Sequence, residues 1–260
     1  MFDRLGETSN PQQPVSIRLM QFRLTTYNIH KGIGGVDRRY DPDRIVQAVG
    51  HCNPDILFLQ EVDDGVPRSR HDRQVEVLGE ALGLKHHIYQ RNVKLKVGHY
   101  GNAILSRFPL TDHQDIDLTI PMKKKRRALA AHCRMQIDGH SRTVLLLNVH
   151  LGLAGFERKM QLRRLLATEL VRRTHQETAV LLAGDFNDVW GNLGRGILDT
   201  GGFQSATGLH KTFPAFMPMR PLDRVYFRGN MSIDHGFASR TDIARRASDH
   251  LPLVADCILQ

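Results

Sequence analysis

Asp185, Asn187 and Asp188 follow directly on an apolar run in LLAGDFNDVW, residues 181–190. Asp and Asn at such a point either make an ordinary turn by hydrogen-bonding their own backbone, or are a carboxylate and an amide delivered by a strand to a reacting group. The same ending recurs along the chain. TTYNIH closes on Asn28 and His30, LFLQEV on Gln60 and Glu61, and LLNVHL on Asn148 and His150. LDRVYF carries Asp223 beside an apolar run, and SDHLPL sets Asp249 and His250 before the last one. Strands are stiff, so side chains at their ends are held accurately, which suits catalysis.

The residue types select a chemistry. Carboxylates and amides are hard oxygen ligands suited to Mg2+ or Mn2+, whereas the absence of cysteine from the set and the scarcity of paired histidines argue against zinc. Histidines serve phosphate binding and proton transfer once a carboxylate fixes their tautomer. Hydrolysis of a phosphate ester puts negative charge on the phosphoryl and leaving oxygens. A metal and cationic donors must neutralise that charge while a base readies a water.

The elements that position these residues are short apolar or alternating runs between turn signals, with a few helical stretches. Strands are expected at 17–29, 55–60, 86–92, 101–106, 110–118, 127–137, 142–149, 179–184, 222–228, 232–238 and 251–258. Helices are expected at 41–51, 71–83, 155–174 and, briefly, 193–199. In the longest of these, Leu162, Leu165, Leu166 and Leu170 form one apolar stripe. Many strands with interspersed helices indicate a mixed α/β architecture with more than one sheet layer. With 260 residues and no linker-like stretch, residues 15–260 read as a single catalytic domain behind a loose leader at 1–14.

Net charge is +9, from 36 Lys and Arg against 27 Asp and Glu, and it is uneven. The KKKRR run at 123–127 and the Arg and Lys residues of 158–164 suit a polyanion, either nucleic acid or an anionic membrane surface. Nothing points to a protein partner. Cys52, Cys133 and Cys257 lie far apart, a pattern of neither a disulfide framework nor a zinc knuckle. With no apolar signal segment, a cytoplasmic protein, at most peripheral to a membrane, is the expectation.

In chain order, TYNIH, LQEV, GNAILSRFP, NVHLG, GDFND, LDRVY and SDHLP resemble the motifs of the endonuclease/exonuclease/phosphatase superfamily, the DNase I-like enzymes. They span about residues 22–258, and GNAILSRFP with KTFP at 211–214 is similar to a compact bacterial branch. The resemblance implies a four-layer α/β/β/α sandwich, two mixed β-sheets face to face with helices outside. It implies that Glu61 is the principal metal ligand, helped by Asn28 and Asp249. Asp185 would orient or deprotonate the attacking water, and Asn187 would hold the phosphate or the nucleophile. His250 would contact the scissile phosphate with Asp223 on its ring, His150 would be the second histidine, and Arg127 matches an active-site arginine.

One expected acid is missing. DNase I-like members carry a carboxylate between the Glu61 and His150 motifs, but KVGHYGNAIL offers His99, Tyr100 and Asn102, leaving His150 without an assigned partner. Asn102 could contact phosphate or cap a turn. His30 and Lys31 could reach the cleft or lie on the surface, and the glycine-rich 30–40 segment is a rim loop or a gate. Trp190 reads as core or rim packing, and FPAFMPM at 213–219 as a buried loop or a membrane contact. A phosphodiesterase of nuclease type leads, with a phospholipid or sphingomyelin-type phosphodiesterase or a phosphatase of small esters as alternatives. A binding module with a decayed site fits poorly, since Glu61, Asp185 and His250 are all present.

Overall fold

The computed structural model describes residues 19–137 and 139–260. The expected leader at 1–14 and the first residues of the expected first strand lie outside them. Twelve strands form two mixed six-stranded sheets. The first sheet contains β1 (Met20–Asn28), β2 (Ile56–Asp64), β3 (His86–Lys94), β4 (His99–Ser106), β11 (Met231–Ala238) and β12 (Leu253–Leu259), in the order β11-β12-β1-β2-β4-β3. The second contains β5 (Leu110–Asp117), β6 (Arg127–Ile137), β7 (His140–His150), β8 (Val180–Asp185), β9 (Gln204–Ser205) and β10 (Asp223–Arg228), in the order β5-β6-β7-β8-β10-β9.

Alternation explains the layers. In β1, Phe22 and Leu24 join the core between the sheets, while Tyr27 pairs with the helices outside. In β7, Val144 and Leu146 face the other sheet, and Leu145, Leu147 and Val149 face the helices. Helices α1 (Pro42–Cys52), α2 (Gln74–Leu82) and α5 (Asp242–Ala247) cover the first sheet. Helices α3 (Gly155–Leu166) and α4 (Glu169–Arg173) cover the second. The result is the expected α/β/β/α sandwich.

Each sheet has one parallel pair, β1 with β2 and β7 with β8. Their carboxyl ends carry Asn28, Glu61, His150 and Asp185, where open α/β sheets place their ligands. Continuing the inward alternation, Thr26, Asn28, Asn148, His150 and Asp185 fall on the face that looks at the opposite sheet. The inter-sheet core is therefore apolar along most of its length and polar at one end.

Three helical expectations need correction. The 155–174 helix is two helices, because Thr168 is extended (φ −63°, ψ 148°) and its hydroxyl donates to Leu165 O at 2.7 Å. The expected helix at 193–199 is a run of turns ending in a 3-10 turn, Asp199–Gly201; Gly196 at φ +79° interrupts any helix there. Helix α2 starts at Gln74 rather than 71, since Arg73 is tied back to Asp64 as an isolated bridge. Helix α5 and the short strand β9 were not expected; α5 is capped by Thr241, whose hydroxyl accepts from Ala244 N at 3.3 Å.

Gly184 sits beside the future site at φ +144°, and a Cβ there would fall on the Val149 carbonyl oxygen of the parallel neighbour β7. Gly184→Ala should therefore cost more than about 3 kcal/mol, by strain and by forcing β8 off β7. Urea denaturation of the variant checks this; a shift within about 0.5 kcal/mol of wild type would contradict it.

Candidate active site

A cleft of about 1000 Å3 opens at the polar end of the sandwich. Asn28, Glu61, His150, Asp185, Asn187 and His250 all line it. Asp185 is its centre. Asn28 Nδ2 donates to Asp185 Oδ2 at 3.1 Å from the opposite sheet, and Asn187 N donates to Oδ1 at 2.8 Å. Two imidazole nitrogens face the same Oδ2, His150 Nε2 at 3.5 Å and His250 Nε2 at 3.8 Å. The carboxyl is 2% exposed, and its burial raises its pKa against the opposing influence of the two histidines.

The histidines are pushed apart. His250 Nδ1 donates to Asp223 Oδ2 at 2.8 Å, and Thr212 Oγ1 donates to the same oxygen at 2.5 Å. Burial pulls the His250 pKa down, but the charges of Asp223 and Asp185 and the Asp223 hydrogen bond outweigh it and raise it to about 10. For His150, burial and the nearby Arg126 charge prevail over Asp185 and Glu61, bringing it down to about 4. At neutral pH one ring is an imidazolium donor and the other a neutral base. Such a divergence separates acid and base roles. The missing acid for His150 is accounted for in part: its Nε2 faces Asp185 rather than a carboxylate from the 96–105 region.

Glu61 reaches the cleft through a bulge. Leu59 pairs with Ala103 and Val62 with Gly101, so Gln60 and Glu61 together oppose Asn102. Glu61 takes φ +58°, an uncommon conformation for a non-glycine residue that turns its carboxylate away from the sheet. Burial pushes that carboxyl up, but His150, the Lys31 ammonium and its hydrogen bond outweigh it and hold the pKa at about 2. Gln60 turns the other way and donates to Asn148 Oδ1 at 2.8 Å, while Asn148 Nδ2 donates to Leu59 O and Ala103 O across the seam. These two amides lock the sheets together beneath the site.

The donor set suits a hydrated hard cation. Glu61 is an ionised carboxylate, and Asn28 Oδ1, which accepts from His30 N at 3.0 Å, retains a free lone pair; both residues line the cleft. Mg2+ is typically held by one or two carboxylates and keeps several waters. Asp249 does not line the cleft as Glu61 and Asn28 do; its carboxylate accepts from Ser248 Oγ at 3.4 Å and lies 4.0 Å from His30 Nδ1. Among the described residues, no three His, Cys, Asp or Glu side chains converge as a metal cluster.

Arg127 also stands outside. Its guanidinium is held by Asp115 of the neighbouring strand β5 at 3.6 Å and, across the seam, by Arg91 O at 3.3 Å, and Arg126, one residue earlier, enters the cleft instead. Asn102 neither lines the cleft nor caps a turn; inside β4 it donates to Gln90 Oε1 and Arg127 O, both at 3.3 Å. His30 is off the wall, while Lys31 lines it and pairs with Glu61. Asn187 donates its amide to Leu151 O at 3.0 Å, which leaves Oδ1 for a ligand.

Sequence reasoning misses Arg68 and gives Tyr100 and Phe213 no role in the cleft. Arg68 is aimed inward by a bidentate pair with the buried Asp63, at 2.7 and 2.8 Å. Tyr100 lies under both Lys31 and Arg68, 5.6 and 5.7 Å from its ring centre, and burial with the Glu61 charge raises its phenol. Phe213 packs its ring 5.0 Å from that of His250. KTFP was the available signal for this last group, since it supplies both Thr212 and Phe213.

Comparison with known proteins shows the family and the fold. The model of the Endonuclease/Exonuclease/phosphatase family matches residues 25–250. YbhP of Escherichia coli (strain K12) is 31% identical in an alignment of 258 positions that covers 94% of this chain and 98% of that one. An endonuclease/exonuclease/phosphatase from Beutenbergia cavernae DSM 12333 shares the fold with TM-score 0.73 at 23% identity, over 92% of this chain and 72% of that one. D. rerio TDP2 complexed with single strand DNA product does so with TM-score 0.65 at 19% identity, over 91% and 98%.

The Asp223–His250 pair makes stability depend on pH with a definite sign. A histidine raised to about 10 in the folded chain, against about 6.5 unfolded, stabilises fully below pH about 6.5, and the effect fades as pH rises through the folded value. Asp223→Asn removes the main cause. The stability difference between wild type and variant, from urea denaturation across a pH series, should be largest on the acid side of pH about 6.5 and shrink towards about 10. A difference that stays constant over that range would contradict the pairing.

Proposed function

The chain belongs to the endonuclease/exonuclease/phosphatase family, and from that premise we propose that it is a Mg2+-dependent phosphodiesterase that cleaves by activated water. Members are in general hydrolases of phosphate esters. The observation that carries the reading is the buried Asp185 carboxylate between an imidazolium and a neutral imidazole, in one cleft with the ionised Glu61.

Each side chain has a task in such a reaction. Asp185, its carboxyl raised by burial, is a stronger base than a solvated aspartate and can take a proton from water. Asn187 Oδ1 orients that water. His250, charged and held by Asp223, donates to a phosphoryl oxygen as negative charge grows there. His150, neutral, accepts or relays a proton from the other side of Asp185. Lys31, Arg68 and Arg126 on the walls neutralise the diester before and during attack. Glu61 and the Asn28 amide oxygen would hold the Mg2+, which when bound supplies Lewis-acid polarisation of the phosphoryl group.

Nucleic acid as the diester has the support of a fold relative crystallised with single strand DNA product. A phospholipid diester has one observation of this chain behind it. Phe216, Met217 and Met219 at the cleft mouth are each more than half exposed, so the 213–219 segment is not the buried loop that one reading of its sequence suggests.

Activity on a soluble aryl phosphodiester tests the catalytic part directly. EDTA-stripped protein should be inactive and recover with Mg2+ at weak affinity, because few protein groups hold the ion. Glu61→Gln and Asp185→Asn should each lower kcat by about a hundredfold or more with an unchanged thermal melt. Full turnover by stripped protein, or wild-type kcat from Asp185→Asn, would overturn it.

A further inference from the structure

Four segments surround the mouth of the cleft on the β7–β8–β10 side: 119–126, 153–160, 189–190 and 208–220. Leu153, Val189, Lys124, Lys125, Phe213 and Arg220 from them line its wall. They touch one another outside it. The Lys123 ammonium lies 5.3 Å over the Phe156 ring, and the Leu209 side chain closes against Gly191 beside Trp190. At their tips, Met122, Leu153, Phe156, Trp190, Phe216 and Met219 are between 52% and 103% exposed. Single exposed apolar residues are ordinary, but this many around one opening mark an interaction surface.

Charge narrows the partner. Residues 119–126 and 208–220 contain no Asp or Glu. The acids of the other two stretches, Glu157 and neighbouring Asp188, are 5% and 1% exposed and present nothing to solvent. Against this, Lys123, Lys124, Lys125, Lys211 and Arg220 are exposed. The facing hairpin, with Lys94, Lys96 and the exposed Val97, repeats the combination across the cleft. A nucleic-acid strand would satisfy the cations and could stack bases on Phe156, Trp190 and Phe216, but it would leave Met122, Leu153, Met217 and Met219 in water. A lipid bilayer satisfies both, because anionic headgroups meet lysines while Trp, Phe, Leu and Met enter the headgroup–acyl boundary.

We propose that this rim is a docking surface for an anionic phospholipid bilayer, which presents a headgroup phosphodiester to the cleft. The presentation rests on the phosphodiesterase reading; the docking does not. The attachment proposed is peripheral; among the described residues no helix is long and apolar enough to cross a membrane. It needs two signals, apolar insertion and charge, since either alone binds weakly.

Trp190 is the only tryptophan of the chain and is 79% exposed on the rim, so its fluorescence reports docking without a label. The full chain, held in EDTA to prevent turnover, is titrated with vesicles of phosphatidylglycerol and phosphatidylcholine or of phosphatidylcholine alone. The expected result is a blue shift and quenching by brominated acyl chains with the anionic vesicles only, weakening with salt. Phe216→Ser, Met217→Ser and Met219→Ser together should reduce binding about tenfold or more. Their hydrolysis of a soluble diester should be unchanged. Lys123→Ala, Lys124→Ala and Lys125→Ala together should reduce vesicle binding by roughly a hundredfold, about fivefold per lysine near an anionic surface. An unshifted Trp190 with anionic vesicles overturns the docking, as does salt-sensitive binding to duplex or single-stranded DNA by protein that leaves vesicles unbound. Docking with no hydrolysis of any diester leaves the surface assigned and removes only the catalytic reading.

Discussion

Asp185 is a carboxylate withdrawn from water at the seam of two sheets, and the site is organised around keeping it there. A buried carboxylate is costly unless hydrogen-bonded or paired. Here the compensation comes from both sheets: the Asn28 amide from β1, the Asn187 backbone, and two imidazoles that face one carboxylate oxygen. Because the partners belong to different sheets, the packing of the sandwich and the placement of this carboxylate are one problem. Gln60 and Asn148 solve it just beneath, with amide hydrogen bonds from one sheet to the other.

This arrangement divides the histidines. His250 has a carboxylate on each nitrogen side and a threonine-braced Asp223 behind it, so it holds its proton. His150, equally buried, has Arg126 nearby and gives its proton up. Similar burial thus yields opposite charge states, decided by neighbours. Outside, the walls and rim are cationic, so an incoming diester meets Lys31, Arg68 and Arg126 before it meets the buried acid. In the docking proposed above, the apolar tips beyond them would place the same opening against a boundary between water and hydrocarbon.

Much of this is legible in the sequence, through strand alternation. Once Leu146 or Ala183 is taken as inward-facing, Asn148, His150 and Asp185 must face inward too, and the strand ends where the apolar pattern stops. Local departures from alternation are less legible. Glu61 depends on a bulge at φ +58°, which the run LFLQEV does not announce. Arg126 rather than Arg127 enters the cleft because Asp115 and the Arg91 carbonyl, distant in sequence, capture Arg127. Asp249 sits in the expected motif next to His250, yet it does not line the cleft, and its carboxylate accepts from Ser248 Oγ at 3.4 Å. Thr212 and Asp63 act through Asp223 and Arg68 respectively, and such support appears only when the chain is folded.

The central claim is that the two histidines flanking Asp185 carry different charges at neutral pH. Nitrogen-15 spectra of the imidazole rings, assigned by comparison with His150→Gln and His250→Gln, measure this without substrate. The account predicts that both nitrogens of His250 carry protons at neutral pH while His150 shows one protonated and one bare nitrogen. The same protonation state for both rings would contradict it.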